Sequence, residues 1–380
     1  MTKLFKEFYN SEKSGGFVLI ICTIISLVLA NTIIGVQYTE MWHLKFAGLS
    51  LEHWVNDGLM AIFFLLIGLE LERELYVGDL SSPRKAFLPI AAALGGMVFP
   101  AFIYILFNHN TPTASGFGIP IATDIAFALG VLSLLGKRVP LSLKVFLTAL
   151  AVVDDLGAIL IIAIFYTKTL IWTNLALAGG IGVVLLVLNK LKVFNLIPYI
   201  IGGIAMWYFM LHSGVHATIT GVVLAFLIPF GKGNSKSPSY LLQHFLHKPV
   251  AFIVLPIFAL ANTAILLKTG WHHSIQDSYG MGISLGLFVG KPLGIFLFVY
   301  LAVLLGLSNL PQGLQWKHIV GVGFLAGIGF TMSIFITLLS FDNVDIINNA
   351  KLIILISSLM SGIVGVLLLK SISEPKKRID

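Results

Sequence analysis

VFLTALAVVDDLGAILIIAIFY, residues 145–166, is an apolar run of bilayer-spanning length, interrupted at its centre by Asp154 and Asp155 side by side. Moving one carboxylate to the middle of a membrane helix costs roughly 2.5–3.5 kcal/mol on insertion scales, so an ionised pair forfeits about 5–7 kcal/mol unless compensated. No packing advantage offsets such a cost. The pair therefore reads as an ion or proton site, against the simpler alternative of a protonated or hydrogen-bonded structural pair.

The surrounding chain repeats the apolar character of this run. Hydrophobic residues make up 57% of the sequence and charged residues 11%, and apolar stretches near 20 residues recur from end to end, as in a polytopic membrane protein. Twelve spans are predicted at about 14–34, 54–73, 86–107, 117–136, 142–166, 171–189, 194–212, 214–230, 249–268, 280–306, 318–340 and 346–370. The expected fold is all-α, one integral membrane domain over 1–380. With both termini on the cytoplasmic side, inner segments hold nineteen of the 24 Lys and Arg residues, while outer loops hold only Lys45, Lys168, Lys268 and Lys351. This bias follows the positive-inside rule and accounts for the net charge of +7 without a nucleic-acid partner. The basic residue left over is Lys291, inside the tenth span. The single cysteine, Cys22, forms no intrachain disulfide. The N-terminal MTKLFKEFYNSEK leads into a run with no clear cleavage pattern, read as a retained anchor.

Three polar interruptions stand out. In the outer segment 36–53, alternation around Ala47-Gly48 predicts a short β-hairpin, whose edge suits pairing with a second copy, a plain connecting loop being the alternative. SPSYLLQHFLHKP, residues 237–249, reads as an interfacial helix, and the loop 269–279 as a connector. Two spans carry helix-disrupting residues: Pro120 precedes Thr123-Asp124 in GIPIATDIAFALG, and Gly327 and Gly329 interrupt FLAGIGFTMSIF. Backbone groups freed in hydrocarbon must be met by protein, ion or water, so broken helices are expected where a site is lined; close glycine packing and a proline kink are the plainer reading. Two such spans, seven apart, suggest inverted repeats over spans three to five, about 86–166, and ten to twelve, about 280–370.

The ionisable residues at membrane depth are Asp124, Asp154, Asp155 and Lys291, with Asp57 near the outer end of the second span. Neighbouring helical residues point about 100° apart, so Asp154 and Asp155 require different partners. One can face the broken fourth span with Thr123 and Asp124, the other Lys291. Carboxylate, hydroxyl and carbonyl oxygens suit a hard cation, and competition between cation and protons for the same oxygens is the simplest basis of exchange. Asp57 is equally an interfacial carboxylate or part of an outer funnel. Glu70, Glu72, Arg73 and Glu74 read first as a solvated helix end and second as a pH-responsive cluster. His212 and His216 have the i, i+4 spacing of a zinc pair but no third ligand, so packing or titration is preferred.

At these residues the chain resembles the NhaA-type bacterial sodium/proton antiporters. TDIAFALG, VVDDLGAI, HSGVHAT, GKPLGI and GIGFTMSIF occur in that family's order and spacing over nearly the whole chain. The resemblance implies twelve spans with two crossed broken helices, a dimer bridged by the outer hairpin, and a bacterial inner-membrane location. It implies efflux of Na+ or Li+ driven by proton entry and activated at alkaline pH, without a cofactor. Asp155 would be the principal ion ligand, Asp154 the partner of Lys291, Thr123 and Asp124 residues of the helix crossing, and Asp57 part of the outer funnel. The pH response would involve Glu70, Arg73, Glu74 and His216. Gln243 replaces a glutamate of the family pattern and Glu72 a basic residue, so the resemblance carries over the exchange chemistry but not the pH threshold.

Two rival readings have direct checks. Intramembrane aspartyl proteases also use two buried aspartates, but their Gly-x-Gly-Asp tetrapeptide is absent here. Exchange of potassium, calcium or an organic anion is separated from sodium exchange by testing the ions in turn.

Overall fold

Every one of the twelve apolar runs contains helix in the computed structural model, which describes residues 12–136, 139–167, 169–268 and 270–372. Lys3, Lys6, Lys137, Arg138, Lys168, Lys376, Lys377, Arg378 and the segment 1–11 lie outside the described residues. Among the described residues, eight helices are long and apolar enough to cross a membrane. Two bent helix pairs also meet this length and hydropathy together: Ser14–Ala30 with Gly35–His43, at 114°, and Trp316–Ala326 with Phe330–Ser340, at 47°. The seventh and eighth expected spans are shorter helices, Ile197–Leu211 and Ile219–Leu227. A polytopic all-α fold with two β-strands is what the sequence predicts, because nothing but helix satisfies each backbone group within its own segment in lipid.

The hairpin is confined to β1 (Lys45–Phe46) and β2 (Leu49–Ser50), paired antiparallel with Lys45 opposite Ser50. Ala47 and Gly48 turn the chain with φ of 49° and 88°, the left-handed values of a tight two-residue hairpin. The hairpin is thus shorter than the 36–53 segment expected, since Gly35–His43 is helical. The expected interfacial helix is corrected too: Pro238–Asn262 runs on as one helix, with Leu242 and Leu246 buried and Leu241 and Phe245 exposed. Proline within a helix removes one donor and crowds the carbonyl four residues back. Here the helix widens into a π-helical turn at Val250–Val254, directly after Pro249. Similar turns occupy Trp54–Leu59 and Gly286–Gly290. Lys351, assigned above to an outer loop, lies buried within Val344–Ile372.

The chain divides into two compact units, Met1–Ile21 with Ser82–Ala158 and Leu266–Asp380, and Cys22–Ser81 with Ile159–Ile265. In the first unit, Pro83–Asn108 packs on Ser278–Leu304 through bare backbone. A Cβ on Gly294 would stand 2.1 Å from the Gly95 carbonyl oxygen, and one on Gly95 2.2 Å from that of Gly294. Gly294→Ala is therefore expected to push these helices apart and to destabilise the protein by about 1–3 kcal/mol, seen as a lower unfolding midpoint in detergent. Gly179→Ala, which meets nothing within 4 Å, serves as the control expected to leave the midpoint unchanged or raised. In the second unit, Gly68 and Gly221 let Leu51–Tyr76 and Ile219–Leu227 approach in the same manner.

Candidate functional site

Two interrupted spans of the first unit meet at their breaks. The fourth span is a 3-10 helix, Ala114–Ile121, then extended residues 122–124, then the α-helix Ile125–Leu134. The eleventh breaks between Ala326 and Phe330. Pro120 stands just before the first break, and Gly327 and Gly329 lie in the second. Beside Gly327 is no room for a side chain, since a Cβ would lie 2.5 Å from the Leu287 carbonyl oxygen.

The freed backbone groups are met from across the crossing. The Asp124 amide donates to the Ile328 carbonyl at 2.7 Å, and the Thr123 hydroxyl to the Ala326 carbonyl at 2.8 Å. Asp124 is the N-cap of its own helix, accepting from the Phe127 amide at 2.9 Å. Its other oxygen accepts from both the amide and the hydroxyl of Thr331 in the first turn of the opposite half-helix. One carboxylate therefore faces the positive ends of two half-helices, where the peptide dipoles favour a negative charge. Ser358 caps the same half-helix by accepting from the Phe330 amide at 3.1 Å. At the negative end of the 3-10 helix, the Lys291 ammonium donates to the Ile121 carbonyl.

Lys291 also donates to Oδ2 of Asp154 at 2.6 Å, an ion pair buried on both sides. It emerges from the π-helical turn Gly286–Gly290, which resets the helix phase at this position. Asp155, one residue on, is also buried and interacts electrostatically with the same ammonium. Asp124, Asp154, Asp155 and Lys291 are each no more than 2% exposed. The first unit thus brings together five residues expected from sequence: Thr123, Asp124, Asp154, Asp155 and Lys291. Sequence reasoning passed over Thr331 and Ser358. Their signal was the half-helix after Gly329, whose first amides need acceptors within reach. Thr331→Val, which keeps the amide and removes the hydroxyl, is expected to lower stability by about 1–3 kcal/mol. Thr331→Ser should stay near wild type in the same detergent unfolding measurement, and an unshifted midpoint for the valine variant would refute the hydroxyl contact.

The other expected residues belong to the second unit. Asp57 sits in the π-helical turn Trp54–Leu59 and interacts electrostatically with His53 and His216. Its carbonyl accepts from the Trp207 indole at 3.0 Å. Glu70 and Glu74 interact, and the Arg73 guanidinium lies 5.0 Å over the ring of Tyr240, three residues before Gln243. Glu72 is not part of a solvated helix end: it is buried, and its Oε2 accepts no hydrogen bond among the described residues. His212 and His216 do not form an i, i+4 pair on one helix, because Gly214, at φ 87°, turns the chain between them. Their rings bond the carbonyls of Tyr208 and Tyr166, each at 2.8 Å. Among the described residues no cluster of three or more His, Cys, Asp or Glu has metal-binding geometry.

The chain matches the family described as Na+/H+ antiporter 1 over residues 6–369. It is 66% identical over 370 residues to the Na(+)/H(+) antiporter NhaA of Flavobacterium psychrophilum, covering 97% of this chain and 96% of the relative. To the Na(+)/H(+) antiporter NhaA 1 of Flavobacterium johnsoniae it is 59% identical over 377 residues, covering 99% of each. To the NhaA of Cytophaga hutchinsonii it is 60% identical over 376 residues, covering 99% of this chain and 97% of that one. Similarity of this extent, on a chain of many membrane-length helices, establishes that the protein is a multi-pass membrane protein belonging to the Na+/H+ antiporter 1 family.

Proposed function

We propose that the protein is a secondary transporter, not an enzyme, that extrudes Na+ or Li+ in exchange for external protons and needs no resident cofactor. The reading is carried by the charge excess of the buried cluster, three carboxylates against one ammonium where two spans break. The resemblance to the NhaA-type antiporters assigns the cation to Asp155, next to Asp154 on Lys291 and to Asp124 at two helix amide ends. Oxygens of Asp154, Thr123 and Asp124 complete the site, a donor set suited to a hard cation.

Cation and protons compete for these oxygens. A fully ionised cluster in low dielectric is too costly to carry across the membrane empty, and that cost couples the two fluxes. Asp155 and the Asp154–Lys291 pair titrate as a set, and return of more than one proton per cation makes the cycle electrogenic.

Asp57 is assigned to an outer funnel. Glu70, Arg73, Glu74, His216 and Gln243 are assigned to activation at alkaline pH, supported by the packing of Arg73 on the helix that carries Gln243. Stretches 86–166 and 280–370 are assigned as inverted repeats, and the hairpin as a homodimer contact through the unpaired outer edge of its two strands. The bias of basic residues supports both termini being cytoplasmic, and the bacterial relatives support an inner-membrane location.

Proteoliposomes carrying a proton gradient test the central reading. Addition of Na+ or Li+ is expected to dissipate the gradient, with K+ without effect. A gradient unchanged by Na+ and Li+ overturns the assignment.

A further inference from the structure

The break in the eleventh span is held from two sides. The fourth span supplies one set of partners: Thr123 for the Ala326 carbonyl, and Asp124 for the Ile328 carbonyl and the Thr331 amide. The other set comes from Val344–Ile372. The Phe330 amide donates to the Ser358 hydroxyl oxygen at 3.1 Å, and the Ser361 hydroxyl donates to the Phe324 carbonyl at 2.8 Å. These serines, three residues apart and so on one face of their helix, are 4% and 0% exposed. A serine inside a helix often bonds back to a carbonyl of its own preceding turn. Here both reach across to another helix, one to each side of the break. Gly327 belongs to the contact, since a Cβ there would collide with the Ser361 hydroxyl oxygen.

The two sets of partners differ in chemistry. Asp124 is a carboxyl group that, in the function proposed above, lends oxygen to the cation, and its hold on the break loosens as it does so. A serine hydroxyl is neutral and both donates and accepts, so it satisfies the backbone without adding a charge that a cation or a proton would neutralise. Resting on the assignment of Thr123 and Asp124 to the cation, we infer that Ser358 and Ser361 are positioning residues for exchange. They keep both ends of the break satisfied while the oxygens of the fourth span are drawn to the cation, and so set how strongly the break competes for those oxygens. The two hydroxyls act with opposite sign. Without that of Ser358, the Phe330 amide becomes an unmatched donor beside Thr331, which tightens this helix end on Asp124 and opposes a cation. Without that of Ser361, the Phe324 carbonyl becomes an unmatched acceptor two residues before Ala326, which adds negative potential and favours one.

Exchange by the full chain in proteoliposomes tests this through the half-saturating Na+ concentration, read separately from the maximal rate. Ser358→Ala is expected to raise that concentration and Ser361→Ala to lower it, each by roughly three- to tenfold, the value of one neutral hydrogen bond. Ser358→Thr, which keeps the acceptor, should stay at the wild-type value. Ser357→Ala, one residue away and as buried as Ser358, should not move it. Serines that only stabilise the fold would change the maximal rate and leave half-saturation in place. Unmoved half-saturation, or shifts of one sign in both alanine variants, overturns the inference while wild-type exchange stands. No exchange by the wild type overturns the antiporter reading and this inference with it. If an alanine variant does not fold, hydrogen exchange of the unaltered protein, resolved to single amides, decides. Na+ should speed exchange at the Thr331 amide, which gives up Asp124, and leave the Phe330 amide on Ser358 unchanged. An equal response of the two amides, or a larger one at Phe330, overturns the inference.

Discussion

Asp155→Asn is expected to abolish Na+- and Li+-driven dissipation of a proton gradient in proteoliposomes, to below about one hundredth of the wild-type rate. The amide keeps the size of the carboxylate but carries no charge and cannot exchange a proton in the transport cycle. Losing an ionised ligand from a buried site is worth roughly 3 kcal/mol or more, which is two decades in occupancy. The variant should insert and unfold like wild type, because a neutral group at a buried position does not bear the desolvation cost of an ionised one. Exchange at the wild-type rate would remove Asp155 from the role proposed for it.

Lys291→Met is expected to produce the largest loss of stability. The ammonium serves two buried acceptors at once, Oδ2 of Asp154 and the Ile121 carbonyl. Removing it leaves a buried charge unmatched and a helix end without its donor, and breaking a buried pair from one side costs about 3–5 kcal/mol. Adding Asp154→Asn removes the stranded charge. The double variant should therefore recover most of the loss, with a coupling of about 1–3 kcal/mol in a double-mutant cycle of detergent unfolding midpoints. What remains unrecovered reports on the Ile121 carbonyl. A double variant as unstable as Lys291→Met alone would show that the pair carries little of the stability.

The position of the aspartate pair was legible because nothing in lipid hides a carboxylate; its partners were less so, since the 100° step between neighbours leaves both aspartates interacting with the one Lys291 ammonium. The breaks were equally legible, since Pro120, Gly327 and Gly329 are residues whose local effects on backbone are strong. Sequence could not show which long-range acceptor each freed group would find. Thr331 reaches Asp124 from 207 residues away, and no periodicity encodes such a pairing. Helix boundaries failed where a local signal had two outcomes. Pro249 reads as a terminus, yet the chain absorbs it in a π-helical turn and continues to Asn262. The polar face at Glu72 reads as solvated, yet the surrounding fold buries it.

The turn at Gly286–Gly290 also bears on how relatives of this chain should be compared. A π-helical turn holds one residue more than an α-helical one, so residue number and angular position part company there. A relative lacking one residue within this turn would turn every later position of the helix by about 100°, and the lysine aligned with Lys291 would face a different neighbour. Where an alignment places a single-residue gap around 286–290 thus decides which side chain is homologous in space as well as in order, and percentage identity is blind to that choice.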